Sequence, residues 1–316
     1  MKKPLIVLTG PTAVGKTKLS ISLAKKVNGE IISADSMQVY QYMDIGSAKI
    51  RSEDMQGVRH HLVDVLHPKE KFHIVKFQQM AKAAMEEIYA GGRIPILVGG
   101  TGFYIQAITR DIDFTEAEQE DAYRKELEVL AEQKGREYLH QMLKEVDEKS
   151  AGQIHANNVK RVIRALEFYH QNGTPISAHN QEQKAHQSPY NLAYFVLNAP
   201  RELLYERIDR RVDAMLEEGL LEEVQKLKVM GCQRGMVSMQ GLGYKEILSY
   251  LEGEYSLEEA VRILKRDTRH FAKRQLTWFC REPEVTWVNK DAFAYDEKRI
   301  LEYMLSVCRE RGILPA

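Results

Sequence analysis

The sequence predicts an α/β fold: a parallel sheet core with helices on both faces, and an all-helical domain inserted into it. Three observations carry the prediction. Short apolar, partly β-branched runs recur at Leu5 to Leu8, Glu30 to Ser33, His61 to Val65 and Ile94 to Val98. Helical periodicity fills the gaps at Lys18 to Lys26 and Phe77 to Tyr89, which is the alternation of a parallel sheet with crossover helices. The chain changes character near Asp113, and strand character returns at Ala193 to Leu197.

The first strand runs straight into Gly10-Pro11-Thr12-Ala13-Val14-Gly15-Lys16-Thr17. This segment meets every constrained position of G-x-x-x-x-G-K-[ST], and a helix follows it through Leu19, Leu23 and Val27. Strand, glycine loop and helix make a P-loop NTPase-like core. In such a loop backbone N–H groups curl around an anion, and the helix N-terminus adds its dipole. Lys16 supplies a point charge, and the Thr17 hydroxyl is a magnesium ligand candidate. The motif points to a polyphosphate or diphosphate without naming a reaction.

The second strand ends in Ser33-Ala34-Asp35-Ser36. Parallel strands put their carboxyl ends on one rim, so Asp35 stands on the rim of the phosphate loop. Three roles are open to it: magnesium through water, general base, or cap of the following turn. The strand at Ile94 to Val98 leads into Gly99-Gly100-Thr101-Gly102. Its glycines permit close backbone approach, and the Thr101 hydroxyl can bond a bound group; a plain tight turn is the alternative.

From Glu116 to Tyr169 the chain is charged, helix-forming and almost free of Pro and Gly, until Asn172-Gly173-Thr174-Pro175 breaks it. A polar loop follows to Ser188. These signals divide the chain into a core of residues 1–112 and 190–316 and a helical insertion of residues 113–189. After Arg201 helices predominate, with one late strand at Val285 to Val288.

At 316 residues the chain exceeds one ordinary domain. Apolar content of 44% and charged content of 28% are those of a globular protein. Its three cysteines are isolated and form no CxxC, so neither zinc nor a disulfide framework is indicated. The N-terminal apolar run is too short for a signal peptide, and no stretch approaches membrane-spanning length. The expectation is a cytoplasmic protein with no membrane partner, and nothing demands more than a monomer.

Net charge is +0, so any nucleic-acid surface has to be a local patch. Two helices offer one. Asn157, Lys160, Arg161 and Arg164 share a face opposite Val159, Val162, Ile163 and Leu166. Arg262, Arg266, Arg269 and Lys273 fall in one arc with Lys265, His270 and Arg274 beside it. Ala260, Val261, Leu264, Phe271, Ala272 and Trp278 lie opposite. Like charges one turn apart repel, so the stripe calls for an anionic partner. Usually such a face is only solvated surface. Arg207 and Arg211, one turn apart, suit a diphosphate clamp, unless they pair with Glu206, Asp209 or Asp213.

Together these segments resemble the bacterial tRNA dimethylallyltransferase family. The similar stretches are GPTAVGKT at 10–17, DSMQVYQYMDIGSAK at 35–49, HHLVDV at 60–65 and GGTGFYI at 99–105, followed by HANNVKRVIRALE at 155–167, GLGYKE at 241–246 and TRHFAKRQLTWF at 268–279. Ser47 stands where the family commonly has Thr and keeps the hydroxyl.

The resemblance implies transfer of a dimethylallyl group from dimethylallyl diphosphate to N6 of the adenosine 3′ of the anticodon, in tRNAs reading codons that begin with U. It implies Asp35 as base, Thr101 as its support, and Arg207 or Arg211 with Mg2+ on Thr17 at the leaving diphosphate. Asp35, Ser36, Met37, Gln38 and Thr101 are then expected at the target nucleotide. The insertion is expected to grip the anticodon stem-loop through Lys160, Arg161 and Arg164, with Arg269, Lys273 and Arg274 on the second basic face. Three rivals share parts of this pattern: an ATP-dependent small-molecule kinase, a nucleotide-switched RNA-binding protein, and an adenylate prenyltransferase of the cytokinin-making kind. The helical insertion and two basic faces argue against the first, a base on the loop rim against the second, and the long basic insertion against the third.

Overall fold

A computed structural model describes residues 2–114, 121–185 and 187–315. The predicted helical stretch beginning at Glu116 therefore falls outside the described residues as far as position 120. Spatially the chain divides into Met1–Thr109 with Ser188–Ala316, and Arg110–Gln187.

The first unit opens with β1 (Pro4–Thr9), α1 (Lys16–Val27), β2 (Gly29–Ser33), β3 (His60–His61), α2 (Ile74–Ala90), β4 (Ile94–Gly99) and α3 (Gly102–Thr109). The second unit holds α4 (Asp121–Lys134), α5 (Arg136–Val146), α6 (Glu148–Gln153), α7 (Val159–Asn172) and α8 (Ile176–Ala185). The first unit resumes with β5 (Asn191–Asn198), α9 (Arg201–Glu217), α10 (Leu220–Val229), α11 (Tyr244–Leu251) and α12 (Leu257–Phe279), then β6 (Thr286–Asn289) and α13 (Glu297–Glu310).

The six strands form one sheet in the order β3-β2-β4-β1-β5-β6, with every pairing parallel. The strand period of two explains why both faces are covered. In β1, Leu5 and Val7 pack on one side with Phe77 and Met85 of α2, Ile105 of α3 and Leu264 and Phe279 of α12. Ile6 and Leu8 pack on the other with Leu19 and Leu23 of α1 and Ile300 and Met304 of α13. Each such buried side chain is worth about 1.5–3 kcal/mol.

The strand expected over His61 to Val65 is a two-residue ladder at His60–His61. Leu62 and Asp64 take left-handed backbone, with φ of 60° and 61°, and turn the chain out of the sheet. At this edge Glu30 is buried, and burial alone would raise its pKa. His61 at 2.6 Å and Arg93 more than offset that and lower it.

The second unit has its own small core of Leu127, Leu139, Leu143, Val162, Ile163 and Leu166. Asp147 caps α6 at the Ser150 N–H and accepts the Ser177 N–H of α8, both at 2.9 Å. Among the described residues no helix is long and apolar enough to cross a membrane.

Because all strands run the same way, their carboxyl ends gather on one rim. The Gly10–Thr17 loop leaves the central β1, Asp35 follows β2, Gly100 and Thr101 follow β4, and Lys290 follows β6.

Candidate active site

The loop is shaped by glycine where side chains do not fit. A Cβ on Gly10 would stand 2.4 Å from the Leu197 carbonyl of β5. Ala13 and Gly15 have φ of 63° and 94°. Gly15 precedes α1 with no side-chain cap and no acidic residue in the first turn. The leading N–H groups of α1 are thus left for an external acceptor, with the helix dipole behind them.

Lys16 Nζ donates to the Gly10 and Pro11 carbonyls, each at 2.9 Å. Burial, then the nearby Arg211 charge, push its pKa down to about 7, while Asp35 pulls the other way. Lys16 thus senses both groups. Desolvation also lowers the Arg211 pKa. Thr17 is exposed at the first turn of α1.

The Asp35 and Thr101 turns are packed backbone to backbone. A Cβ on Gly99 would lie 2.3 Å from the Ala34 carbonyl. That carbonyl accepts the Thr101 N–H at 3.3 Å, and the Ala34 N–H donates to Val98 at 2.7 Å. Asp35 Oδ1 accepts the Met37 N–H at 2.8 Å and the Gln38 N–H at 3.4 Å. The turn-cap role therefore holds, and Oδ2 stays free of hydrogen bonds among the described residues. Gln38 Nε2 reaches the Ser47 and Ala48 carbonyls at 3.4 and 3.3 Å. Ser36 and Met37 are half-buried beside it.

Two residues of this rim were not singled out from the sequence. Gln275, 6% exposed, accepts the Thr12 N–H at 2.9 Å and donates to the Gly100 carbonyl at 2.9 Å. Its signal was a polar side chain within the apolar arc of α12. Lys290 is also buried, against the Val14 carbonyl.

Arg207 lies half-buried over the Tyr295 ring at 5.8 Å, and Arg210 rather than Arg207 takes Glu206. Among the described residues Arg207 and Arg211 form no ion pair, so the pairing alternative for them falls away. The α12 stripe is different. Arg262 pairs with Glu259, Lys265 with Asp213, Arg266 with Asp267, and Arg269 with Asp209 at 2.5 Å. Carboxylates of the protein itself thus answer much of the charge that the spacing left open. Lys273 and Arg274 stay exposed. On α7, Lys160, Arg161 and Arg164 are exposed, while Val162, Ile163 and Leu166 are buried.

Among the described residues no cluster of three His, Cys, Asp or Glu could enclose a metal ion. A magnesium ion therefore needs phosphate oxygens and water to complete its shell, and one accessible hydroxyl such as Thr17 fits that demand.

Comparison with known proteins adds to this geometry. The IPP transferase family model matches residues 38–282. A tRNA dimethylallyltransferase from Lachnoclostridium phytofermentans is 60% identical over 312 residues, covering 99% of each chain. Its counterpart from Acetivibrio thermocellus is 52% identical over 304 residues, covering 96% of this chain and 97% of its own. The crystal structure of a tRNA isopentenylpyrophosphate transferase from Bacillus halodurans superposes with a TM-score of 0.74 at 45% identity, covering 98% of both chains. A eukaryotic dimethylallyltransferase solved acting on tRNA gives a TM-score of 0.79 at 33% identity, over 91% of this chain and 74% of that one. On the matched span and the full-length relatives alike, the chain belongs to the IPP transferase family.

Proposed function

We propose that this protein transfers a dimethylallyl group from dimethylallyl diphosphate to N6 of the adenosine 3′ of the anticodon, in tRNAs reading codons that begin with U. The observation that carries the reading is the shared rim: the Gly10–Thr17 loop with Lys16 follows β1 and Asp35 follows β2, and the Arg211 and Asp35 charges both act on Lys16. A leaving diphosphate needs the two cations, and an amine nucleophile needs the carboxylate. The P-loop NTPase-like core, residues 1–112 and 190–316, would carry the chemistry, and residues 113–189 would contact tRNA.

In this mechanism the diphosphate lies on the N–H groups of Gly10 to Thr17. Lys16 and Arg211, with Arg207 beside them, stabilise negative charge as the C1–O bond breaks. Magnesium, when bound at Thr17, would supply further charge neutralisation at the phosphate oxygens. N6 attacks C1 of the prenyl group, and the N6 proton passes to Asp35 Oδ2. The Thr101 turn is held by the Ala34 carbonyl, and the Thr101 hydroxyl would support that transfer. An adenine amino group is a weak nucleophile, so positioning and leaving-group stabilisation do most of the work. The base has to leave its stack to reach the rim, where Ser36, Met37 and Gln38 would meet it. Lys160, Arg161 and Arg164, with Lys273 and Arg274, would meet phosphates of the stem-loop. The Arg269 guanidinium, tied to Asp209, contributes less.

The test is incubation with magnesium, dimethylallyl diphosphate and an unmodified anticodon stem-loop, followed by mass spectrometry of the RNA. One added prenyl unit on the adenosine 3′ of the anticodon is the expected result. Product only on free adenosine nucleotide would replace this reading with the cytokinin-type reaction, and ATP consumption without RNA product would replace it with a kinase.

A further inference from the structure

Lys290 is 4% exposed, at the carboxyl end of β6. A lysine this buried is ordinarily held by a carboxylate. This one has none: among the described residues it forms no ion pair, and the adjacent Glu297 is taken by Lys18 at 2.8 Å. Its hydrogen bond goes to the Val14 carbonyl at 3.3 Å, and Nζ lies 3.1 Å from where a Gly15 Cβ would stand. The ammonium is thus seated against the Val14–Gly15 peptide of the loop. Burial lowers its pKa first of all; Glu297 of α13 opposes, while Arg207 of α9 and Lys18 of α1 add to the lowering. A buried charge with no counter-ion costs stability, which sets it apart from a packing residue.

A trans peptide is planar, with its C=O and N–H pointing in opposite directions. A cation on the Val14 carbonyl therefore polarises the Gly15 N–H on the far side of the same plane. We propose that Lys290 is a positioning residue for the diphosphate: by donating to Val14 it fixes the Val14–Gly15 peptide and strengthens the Gly15 N–H as a donor to the substrate's phosphate. The inference rests on reading Gly10–Thr17 as the diphosphate site. Lys290 lies beyond the matched family span, which ends at residue 282.

The experiment measures binding of inorganic diphosphate and of stem-loop RNA, thermal midpoint, and the Gly15 amide proton shift in glycine-labelled protein. Lys290→Met and Lys290→Gln are compared with wild type. Lys290→Met is expected to weaken diphosphate about tenfold, the scale of one charge-assisted hydrogen bond. RNA affinity should hold, the thermal midpoint should hold or rise, and the Gly15 proton should move upfield. Lys290→Gln, which keeps an N–H donor, should recover part of the affinity, and it carries the test if Lys290→Met does not fold. Diphosphate affinity within twofold of wild type in both variants, or a lowered thermal midpoint with RNA and diphosphate weakened together, would overturn the proposal. Wild-type protein that binds no diphosphate would instead overturn the reading of the loop itself.

Discussion

Gln275 Oε1 accepts the Thr12 backbone N–H at 2.9 Å, and the same amide group donates from Nε2 to the Gly100 carbonyl at 2.9 Å. One buried side chain of α12 thereby ties the Gly10–Thr17 loop to the turn that carries Thr101. A Cβ on Gly100 would lie 2.1 Å from Gln275 Nε2, so the glycine is the complement of the glutamine. Gln275→Leu keeps the volume and strands a buried N–H and a carbonyl, at about 1–3 kcal/mol each. The expected result is a lower thermal midpoint and a raised KM for dimethylallyl diphosphate, read by unfolding and steady-state kinetics. A KM within twofold of wild type would sever the link between this clamp and the loop.

Asp35 holds its turn with Oδ1, and among the described residues Oδ2 takes no hydrogen bond. Asp35→Asn keeps an oxygen for the Met37 N–H and removes the proposed base. Turnover should fall roughly 100- to 10,000-fold, the usual contribution of a general base. Affinity for tRNA should stay within a few-fold, as measured by filter binding. Asp35→Ala should add a loss of stability, because the turn cap goes with the base. Turnover close to wild type in Asp35→Asn would remove Asp35 from the proton transfer.

If the loop binds diphosphate as proposed, Lys16 is expected to set the pH dependence of that binding. Its pKa is pushed down to about 7 by burial and Arg211, and a bound anion draws it back up. Below that pH the ammonium is already charged and binding needs no proton. Above it each binding event takes one up, so affinity falls as pH rises, by up to about tenfold per pH unit. Calorimetry in buffers of different ionisation enthalpy at pH ~8 should show proton uptake that vanishes in Lys16→Met. Arg211→Met removes the repulsion and should move the onset to higher pH. No uptake in wild type at pH ~8 would contradict the assignment.

The basic face of α7 and the basic stripe of α12 should behave differently. Arg161→Ala with Arg164→Ala should weaken stem-loop binding and flatten its salt slope, by about 0.7–0.9 for each phosphate no longer neutralised. Diphosphate affinity should not change. Arg269→Ala breaks the ion pair with Asp209 and should act more on stability than on the salt slope. An unchanged salt slope in the double variant would take α7 out of the RNA surface.

How much of this was legible beforehand depends on distance along the chain. Gly10 to Thr17 could be read as a loop between strand and helix because strand, loop and helix are contiguous, and local backbone rules suffice. The two faces of α7 follow from helical periodicity alone, with Lys160, Arg161 and Arg164 on one side and Val162, Ile163 and Leu166 on the other. The early exit of the chain after His61 could not be read, because the left-handed backbone of Leu62 and Asp64 falls within a run that reads as strand.

By itself, then, the sequence determined the α/β class, the carboxyl rim as the place of the loop, Asp35 and Thr101, and the likeness to one family. These rest on contiguous patterns and on the parallel run of the strands. Only the tertiary structure decided which distant groups complete the rim. Gln275 stands 263 positions from Thr12, and Lys290 stands 276 positions from Val14. It also decided that Asp209 and Asp213 neutralise part of the α12 stripe. The physical reason is one throughout. A hydrogen bond or ion pair depends on separation in space, and composition and periodicity carry no information about which distant side chains will share that space once the sheet and its helices have packed.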